Sequence, residues 1–205
     1  MPEPIPITES KQLVVEGKDA VVFFKALLRE MDLAEIQLQN FGGINDLRGF
    51  LKGLRRRSGF AQMVMSVGIV RDAECDPTSA FQSVCSALHG AELTVPSQIE
   101  KFEGSNPSVG ILILPDAMTP GMLETLCLRS VADDPAMPCV NGYFNCVEQR
   151  LPCTELPRIM EKARVQAFLA SRREPVSPSR WAAHKGYWPW DSPAFDHIKQ
   201  FLREL

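Results

Sequence analysis

Along the first two thirds of the chain, short apolar runs alternate with amphipathic stretches of helical period. Gln12 to Val15, with Leu13-Val14-Val15 apolar and too brief for a helix, reads as a short buried strand. The period then changes: from Asp19 to Met31, Val22, Phe23, Ala26 and Leu27 share one helical face, and Asp19 can cap its start. Ile36 to Phe41 alternates like a strand and runs into Gly42-Gly43. A helix follows from Asn45 or Asp46 to Leu54, closed by Arg55-Arg56-Arg57-Ser58-Gly59, with cations in its last turn and then a glycine stop. Met63 to Val70 reads as a buried strand, and Pro77-Thr78 to Leu88 as a helix with Pro77 near a first-turn position. Val109 to Leu114 is a further strand ending at Pro115-Asp116, and Gly121 to Val131 is helical. This order predicts an α/β fold: a mostly parallel, Rossmann-like sheet flanked by helices.

The last third is patterned differently. Asp133 to Pro157 carries prolines and cysteines without clear periodicity. Glu155 to Ser171 reads as a helix, with Ile159, Ala163, Ala167 and Phe168 partly on one side. Glu174 to Pro193 holds four prolines and the three tryptophans, Trp181, Trp188 and Trp190, and Ser192 to Leu205 is an amphipathic helix. The expected organisation is an α/β domain over residues 1–132 and a helical, Trp- and Pro-rich extension over 133–205 packed on it. Rigid proline-flanked tryptophans suit core packing, with base stacking or a partner surface as the alternatives.

Composition narrows the classes. The 205 residues can build one full core with a small appendage. With 45% hydrophobic and 23% charged residues and a net charge of −3, bulk electrostatic adhesion to nucleic acid or membrane is disfavoured. A local basic face such as Arg55-Arg56-Arg57 stays open, either as phosphate contacts or as a solvated helix end. No apolar run approaches the roughly 20 residues of a membrane helix. The N-terminal Met1-Pro2-Glu3-Pro4-Ile5-Pro6 has neither the basic region nor the apolar core of a secretory signal. The six cysteines form no Cys-x-x-Cys pair, which argues against structural zinc and for reduced thiols in the cytoplasm, several of them buried as small hydrophobes. Cys75, between Glu74 and Asp76, is poorly placed to ionise as a nucleophile. The three histidines are scattered, and no Ser-His-Asp arrangement is legible.

The acids carry the chemistry. The first strand ends in Glu16-Gly17-Lys18-Asp19 and the third in Asp72-Ala73-Glu74-Cys75-Asp76. Parallel strands that deliver carboxylates at their C-terminal ends converge on one cleft. Magnesium takes oxygen ligands and keeps several waters, so a few carboxylates suffice. Two such ions about 4 Å apart stabilise both the attacking and the leaving oxygen of a phosphodiester. Acids after strands also cap helices, and Asp19 and Asp76 both precede helices. Any one acid is therefore explained by structure alone, whereas Glu16, Asp72 and Glu74 together favour a metal site.

These residues carry a resemblance. Leu13-Val14-Val15-Glu16-Gly17-Lys18-Asp19, then Gly42-Gly43, then Asp72-Ala73-Glu74-Cys75-Asp76 resemble the motifs of the TOPRIM domain of topoisomerases, bacterial primases and overcoming-lysogeny-defect nucleases. Ile113-Leu114-Pro115-Asp116, Gly121-Met122-Leu123-Glu124 and Lys162 to Ala170 resemble the nuclease-like branch and a family of small stand-alone TOPRIM-related proteins of unknown function. The resemblance implies a TOPRIM-like fold and roles for particular residues. Glu16 matches the glutamate taken as general acid or base and metal neighbour. Apart from the resemblance, Lys18 beside it either steadies a phosphate or faces solvent. Asp72 and Asp76 match the outer acids of the Asp-x-Asp-x-Asp motif, and Glu124 a later acid that supports a second metal. Glu74 replaces the middle aspartate with an arm one methylene longer, and Ala20 stands where relatives often carry another aspartate.

Neither Tyr143 nor Tyr187 sits in a recognisable topoisomerase context, and the zinc-binding domain of a primase is absent. The expectation is thus a Mg²⁺- or Mn²⁺-dependent nuclease acting on DNA or RNA. The alternative is a non-catalytic TOPRIM-like scaffold that binds nucleic acid or a partner protein. An ATPase is the partner suggested by analogy with the overcoming-lysogeny-defect proteins, where the two domains are fused.

Overall fold

The structure, a computed structural model, describes residues 5–174 and 186–205. Its described residues form two compact units, one of residues 1–123 with 196–205 and one of residues 124–195.

The first unit is built on a four-stranded, all-parallel sheet of order β2-β1-β3-β4: β1 (Lys11–Val15), β2 (Ile36–Asn40), β3 (Ser66–Asp72) and β4 (Ser108–Leu114). The connections are helical, as the alternating pattern predicts: α1 (Gly17–Glu30), α2 (Leu47–Arg55), the one-turn α3 (Phe60–Met63) and α4 (Pro77–Gly90). The expected start of the third strand at Met63 is corrected: Phe60 to Met63 close a helical turn behind Gly59, which has φ +88°, and pairing begins at Ser66.

Both faces of the sheet are covered, so β1, β3 and β4 carry short apolar runs, while β2 alternates. On one face Val14, Val67, Ile69, Val109, Ile111 and Ile113 pack with Phe50, Leu51 and Leu54 of α2 and Val84 and Leu88 of α4. The β1-to-β2 and β3-to-β4 crossovers run in opposite directions across the sheet, so right-handed connection sends α1 to the face opposite α4. On that opposite face glycine makes room for aromatics. A Cβ at Gly110 would stand 2.7 Å from the Phe102 ring, and one at Gly68 would stand 3.0 Å from Phe201. Phe201 lies on the C-terminal helix, α8 (Asp196–Glu204), and its ring centroid is 4.8 Å from that of Phe102. The Ser66 hydroxyl donates to the Leu205 carbonyl, which fixes the chain end at the start of β3.

The second unit contains α5 (Leu123–Ser130, its first residue in the first unit), α6 (Met137–Arg150) and α7 (Met160–Ala170). Helix α6 corrects the reading of 133–157 as aperiodic: Met137, Val140 and Phe144 form a buried stripe, and Pro138 is tolerated because it falls in the first turn. Arg164 of α7 donates to Asn141 Oδ1 at 2.7 Å, lies 3.8 Å from Glu148 and sits 5.5 Å over the Phe144 ring. Trp188 is 2% exposed and stacks on Phe168 at 5.9 Å. Trp190 is half-buried against Phe195, and Trp181 lies outside the described residues. All six cysteines are free, and the expectation that several are buried is corrected: Cys127 is buried and Cys85 half-buried, with its thiol pushed up by burial, while Cys75, Cys139, Cys146 and Cys153 are exposed.

Candidate active site at the sheet edge

Strand order decides where a ligand site falls. The chain leaves β1 towards β2 on one side and returns to β3 on the other, so the order reverses between β1 and β3. In open α/β sheets, ligands bind outside the strand C-termini at this reversal. The register pairs Val15 with Val70 and Asp72 with Leu114, so Glu16 and Asp72 emerge at the same edge, on strands ~4.8 Å apart.

Glu16 is half-buried at the turn from β1 into α1. Gly17 makes that turn with φ +77°, a conformation costly for a residue with a Cβ. Glu16 occupies the position before α1 without capping it. Lys18, one residue inside the helix, is exposed, while Ala20 is buried. Asp72 ends β3 half-buried, and its Oδ1 accepts the Leu123 N–H at 2.9 Å.

The loop after β3 divides its acids between different tasks. Glu74 is exposed with φ +53°, and its backbone exchanges two 2.8 Å hydrogen bonds with Gly121. Asp76 caps α4: Oδ1 accepts Thr78 N–H at 3.1 Å, and Oδ2 accepts Ser79 N–H at 3.2 Å and the Ser79 hydroxyl at 2.5 Å. The Ser79 hydroxyl, with the two backbone N–H groups, holds the Asp76 carboxyl below its ordinary range. Glu124 is the first residue of the second unit, where it is buried with Lys162 Nζ 3.8 Å from its carboxylate.

A further acid at this edge is Asp116, which follows β4 as Asp72 ends β3. Its Oδ1 accepts the Met118 and Thr119 N–H groups at 2.7 Å, and Oδ2 accepts the Thr119 hydroxyl at 2.7 Å. The sequence signal was the one that drew attention to Glu16, an acid directly after a buried run. Among the described residues, no three His, Cys, Asp or Glu side chains are grouped so as to hold a metal ion by themselves.

The basic run has a structural explanation at two of its three positions. Arg55 pairs with Glu92 and donates to the Ala91 carbonyl at 3.3 Å. Arg57 donates to Gln39 Oε1 at 3.0 Å and the Ile5 carbonyl at 2.9 Å, and sits 5.2 Å over the Phe50 ring. Lys52, Arg55 and Arg56 line a hollow with Glu92 where α2 and α4 end. Both helices run against the strands, so this hollow lies at the sheet edge opposite the acids.

A family model described as "Protein of unknown function (DUF3226)" matches residues 10–205, and the chain belongs to that family. No curated protein and no solved structure matches it. No described helix is long and apolar enough to cross a membrane.

Proposed function

We propose that this member of the family is a TOPRIM-like, Mg²⁺- or Mn²⁺-dependent nuclease that cleaves phosphodiester bonds in DNA or RNA. The observation that supports it is the emergence of Glu16 and Asp72 side by side where the strand order reverses. The donor chemistry fits the metal: Mg²⁺ is commonly held by one or two carboxylates, its remaining positions being filled by water and substrate phosphates. Glu16 and Asp72 would hold it. The ion's contribution is to polarise a phosphoryl oxygen and lower the pKa of a bound water. Glu16 is then the group to accept the proton of an attacking water, and Lys18 the exposed cation to offset phosphate charge.

The test is thermal melting of wild type, Glu16→Gln and Asp72→Asn with and without Mg²⁺ or Mn²⁺, beside cleavage of single- and double-stranded DNA and RNA. A metal that binds only the folded state stabilises it by ~2.7 kcal/mol at a concentration of 100 Kd. Wild type should show that upward shift and cleave, and both variants should lose both responses. An equal metal response in wild type and Asp72→Asn refutes the site.

A second reading, a non-catalytic scaffold binding nucleic acid or a partner such as an ATPase, has its own support. Asp76 uses both carboxylate oxygens in a helix cap, and buried Ala20 stands where relatives often carry an acid. Metal binding without cleavage of any substrate would select this reading.

A further inference from the structure

We infer that Arg71 is an anion-binding residue that receives a phosphate oxyanion at the C-terminal edge of the sheet; the identity of that anion as a nucleic-acid phosphate rests on the nuclease reading. Arg71 is the next-to-last residue of β3, 9% exposed, and follows the Val70 that pairs with Val15. It therefore stands at the register level of Glu16 and next to Asp72.

The case comes from its partners. A guanidinium carries five N–H donors and stays charged at any accessible pH. The structure gives Arg71 one hydrogen bond, from Nη1 to the Ala80 carbonyl at 3.2 Å. Among the described residues it has no acidic group within 4.0 Å and no aromatic face. More exposed arginines of the same chain are better satisfied. Arg172 holds Asp134 with two nitrogens, at 2.9 and 3.1 Å, and covers the Phe168 ring. Arg57 has two oxygen acceptors and the Phe50 ring, and Arg164 has Asn141, Glu148 and the Phe144 ring.

A largely buried charge whose one protein partner is a neutral carbonyl has donors left for an anion. An anion would supply the missing partner. The guanidinium can still reach one: His197 Nε2 is the one fully buried side-chain nitrogen or oxygen without a partner among the described residues, so the unbonded nitrogens of Arg71 keep contact with solvent. The edge also needs a cation. Asp72 ends a strand there and Glu16, Glu74, Asp76 and Asp116 follow strands, so a polyanion approaching them meets like charge. Arg71 is a cation that β3 itself holds at that edge, and its planar fork matches two phosphate oxygens.

The experiment compares wild type with Arg71→Met and Arg71→Gln in the full-length protein. Met removes the charge with similar bulk, whereas Gln removes the charge but keeps an N–H for the Ala80 carbonyl. Melting is followed in metal-free buffer across a titration of inorganic phosphate against chloride of equal ionic strength. General salting effects are common to all three proteins and cancel in the comparison. Wild type should show a saturable rise in melting temperature that both variants lose, and in chloride the variants should melt at or above wild type. Cleavage of a short single-stranded oligonucleotide is measured beside this. Arg71→Gln should raise KM about tenfold and flatten the dependence of log binding on log salt by about 0.7, the value for one lost phosphate on a single strand.

A saturable phosphate response retained by Arg71→Gln overturns the assignment, as does a variant that only melts lower in chloride. If Arg71→Met does not fold, Arg71→Gln decides alone. Failure of wild type to cleave any nucleic acid while the Arg71-dependent phosphate response persists overturns the nuclease reading and upholds the anion site. Cleavage with an unchanged KM in Arg71→Gln and an unchanged phosphate response does the reverse.

Discussion

Gly68 and Phe201 provide a test of how the C-terminal helix is seated beneath the strand that carries Asp72. Gly68 lies in mid-β3, and an added Cβ would stand 3.0 Å from Phe201 Cε1, 3.2 Å from Leu13 Cδ1 and 3.3 Å from Leu205 Cδ1. Carbon pairs prefer about 3.5–4.0 Å, so all three contacts are short. Overpacking of this kind costs ~1–3 kcal/mol. The Gly-to-Ala change returns ~0.4–1 kcal/mol by restricting the unfolded chain, since Gly68 is not in the left-handed region. Gly68→Ala should thus destabilise wild type by about 1 kcal/mol. Phe201→Ala removes a ring that is 1% exposed, at ~3–5 kcal/mol.

The double variant carries the discriminating sign. With the ring gone, the new methyl occupies the vacated space and the two leucine ends can shift aside. One buried methyl is worth ~0.8 kcal/mol. Gly68→Ala should therefore stabilise the Phe201→Ala protein by about 1 kcal/mol, a coupling of ~2 kcal/mol between positions 133 residues apart in sequence, 201 less 68. Urea unfolding followed by far-ultraviolet circular dichroism measures it. The described tryptophans, Trp188 and Trp190, are in the second unit, so their fluorescence would report on the wrong body. Costs that add to within ~0.5 kcal/mol would refute the packing of α8 over β3.

Asp134→Asn should destabilise the second unit near neutral pH and cease to do so in acid. The Arg172 hydrogen bonds first of all hold the Asp134 carboxyl below its ordinary range, so its stabilisation is full above the unfolded pKa of ~3.9 and lost as pH falls through the lower folded value; melting curves at stepped pH check it. Trp188→Ala should cost ~3–5 kcal/mol, read as a fall in the near-ultraviolet transition, because the ring is 2% exposed and stacked on Phe168. Asp76→Asn should leave the Mg²⁺ response at its wild-type value and lower stability by about 1 kcal/mol or less, since an amide keeps one accepting oxygen of the cap and loses the other; loss of the metal response on melting would instead make Asp76 a ligand.

The fold was legible where one face or one run decided the element. Leu13–Val15, Val67–Val70 and Val109–Leu114 form the apolar runs of β1, β3 and β4 because the parallel sheet is covered on both sides, and their order with the intervening helices left few topologies. Helix α6 escaped notice for a physical reason. Its buried stripe is three residues, Met137, Val140 and Phe144, and between them stand Pro138, Asn141 and Gly142, all poor helix formers in isolation. Tertiary burial outweighs their propensity. The cysteines misled in a related way: Cys139 and Cys146 lie seven positions apart on α6, and with Tyr143 between them they occupy its exposed side.

The position of the acids at the strand ends was legible, but not what each of them bonds. Burial of the strand ahead of each acid put Glu16, Asp72 and Asp116 at strand ends, and parallel pairing then put Glu16 and Asp72 at one edge. What distinguishes the acids is hydrogen bonding over three or fewer residues, which the spelling of the chain does not resolve. Asp76 and Asp116 both precede a hydroxyl residue three positions on, Ser79 and Thr119, and each folds its carboxylate back onto that residue and the local N–H groups. Glu16 is followed at that spacing by Asp19, which has no hydroxyl to offer, and Glu16 does not cap α1 although it stands in the capping position. The acids most readily spent on local structure are therefore the two with a hydroxyl three residues downstream. The same reasoning picks out Arg71, because a buried strand residue with no acidic partner has no local structural debt that its charge could settle. An anionic partner is what Arg71 lacks, and the phosphate titration of Arg71→Gln asks for it directly.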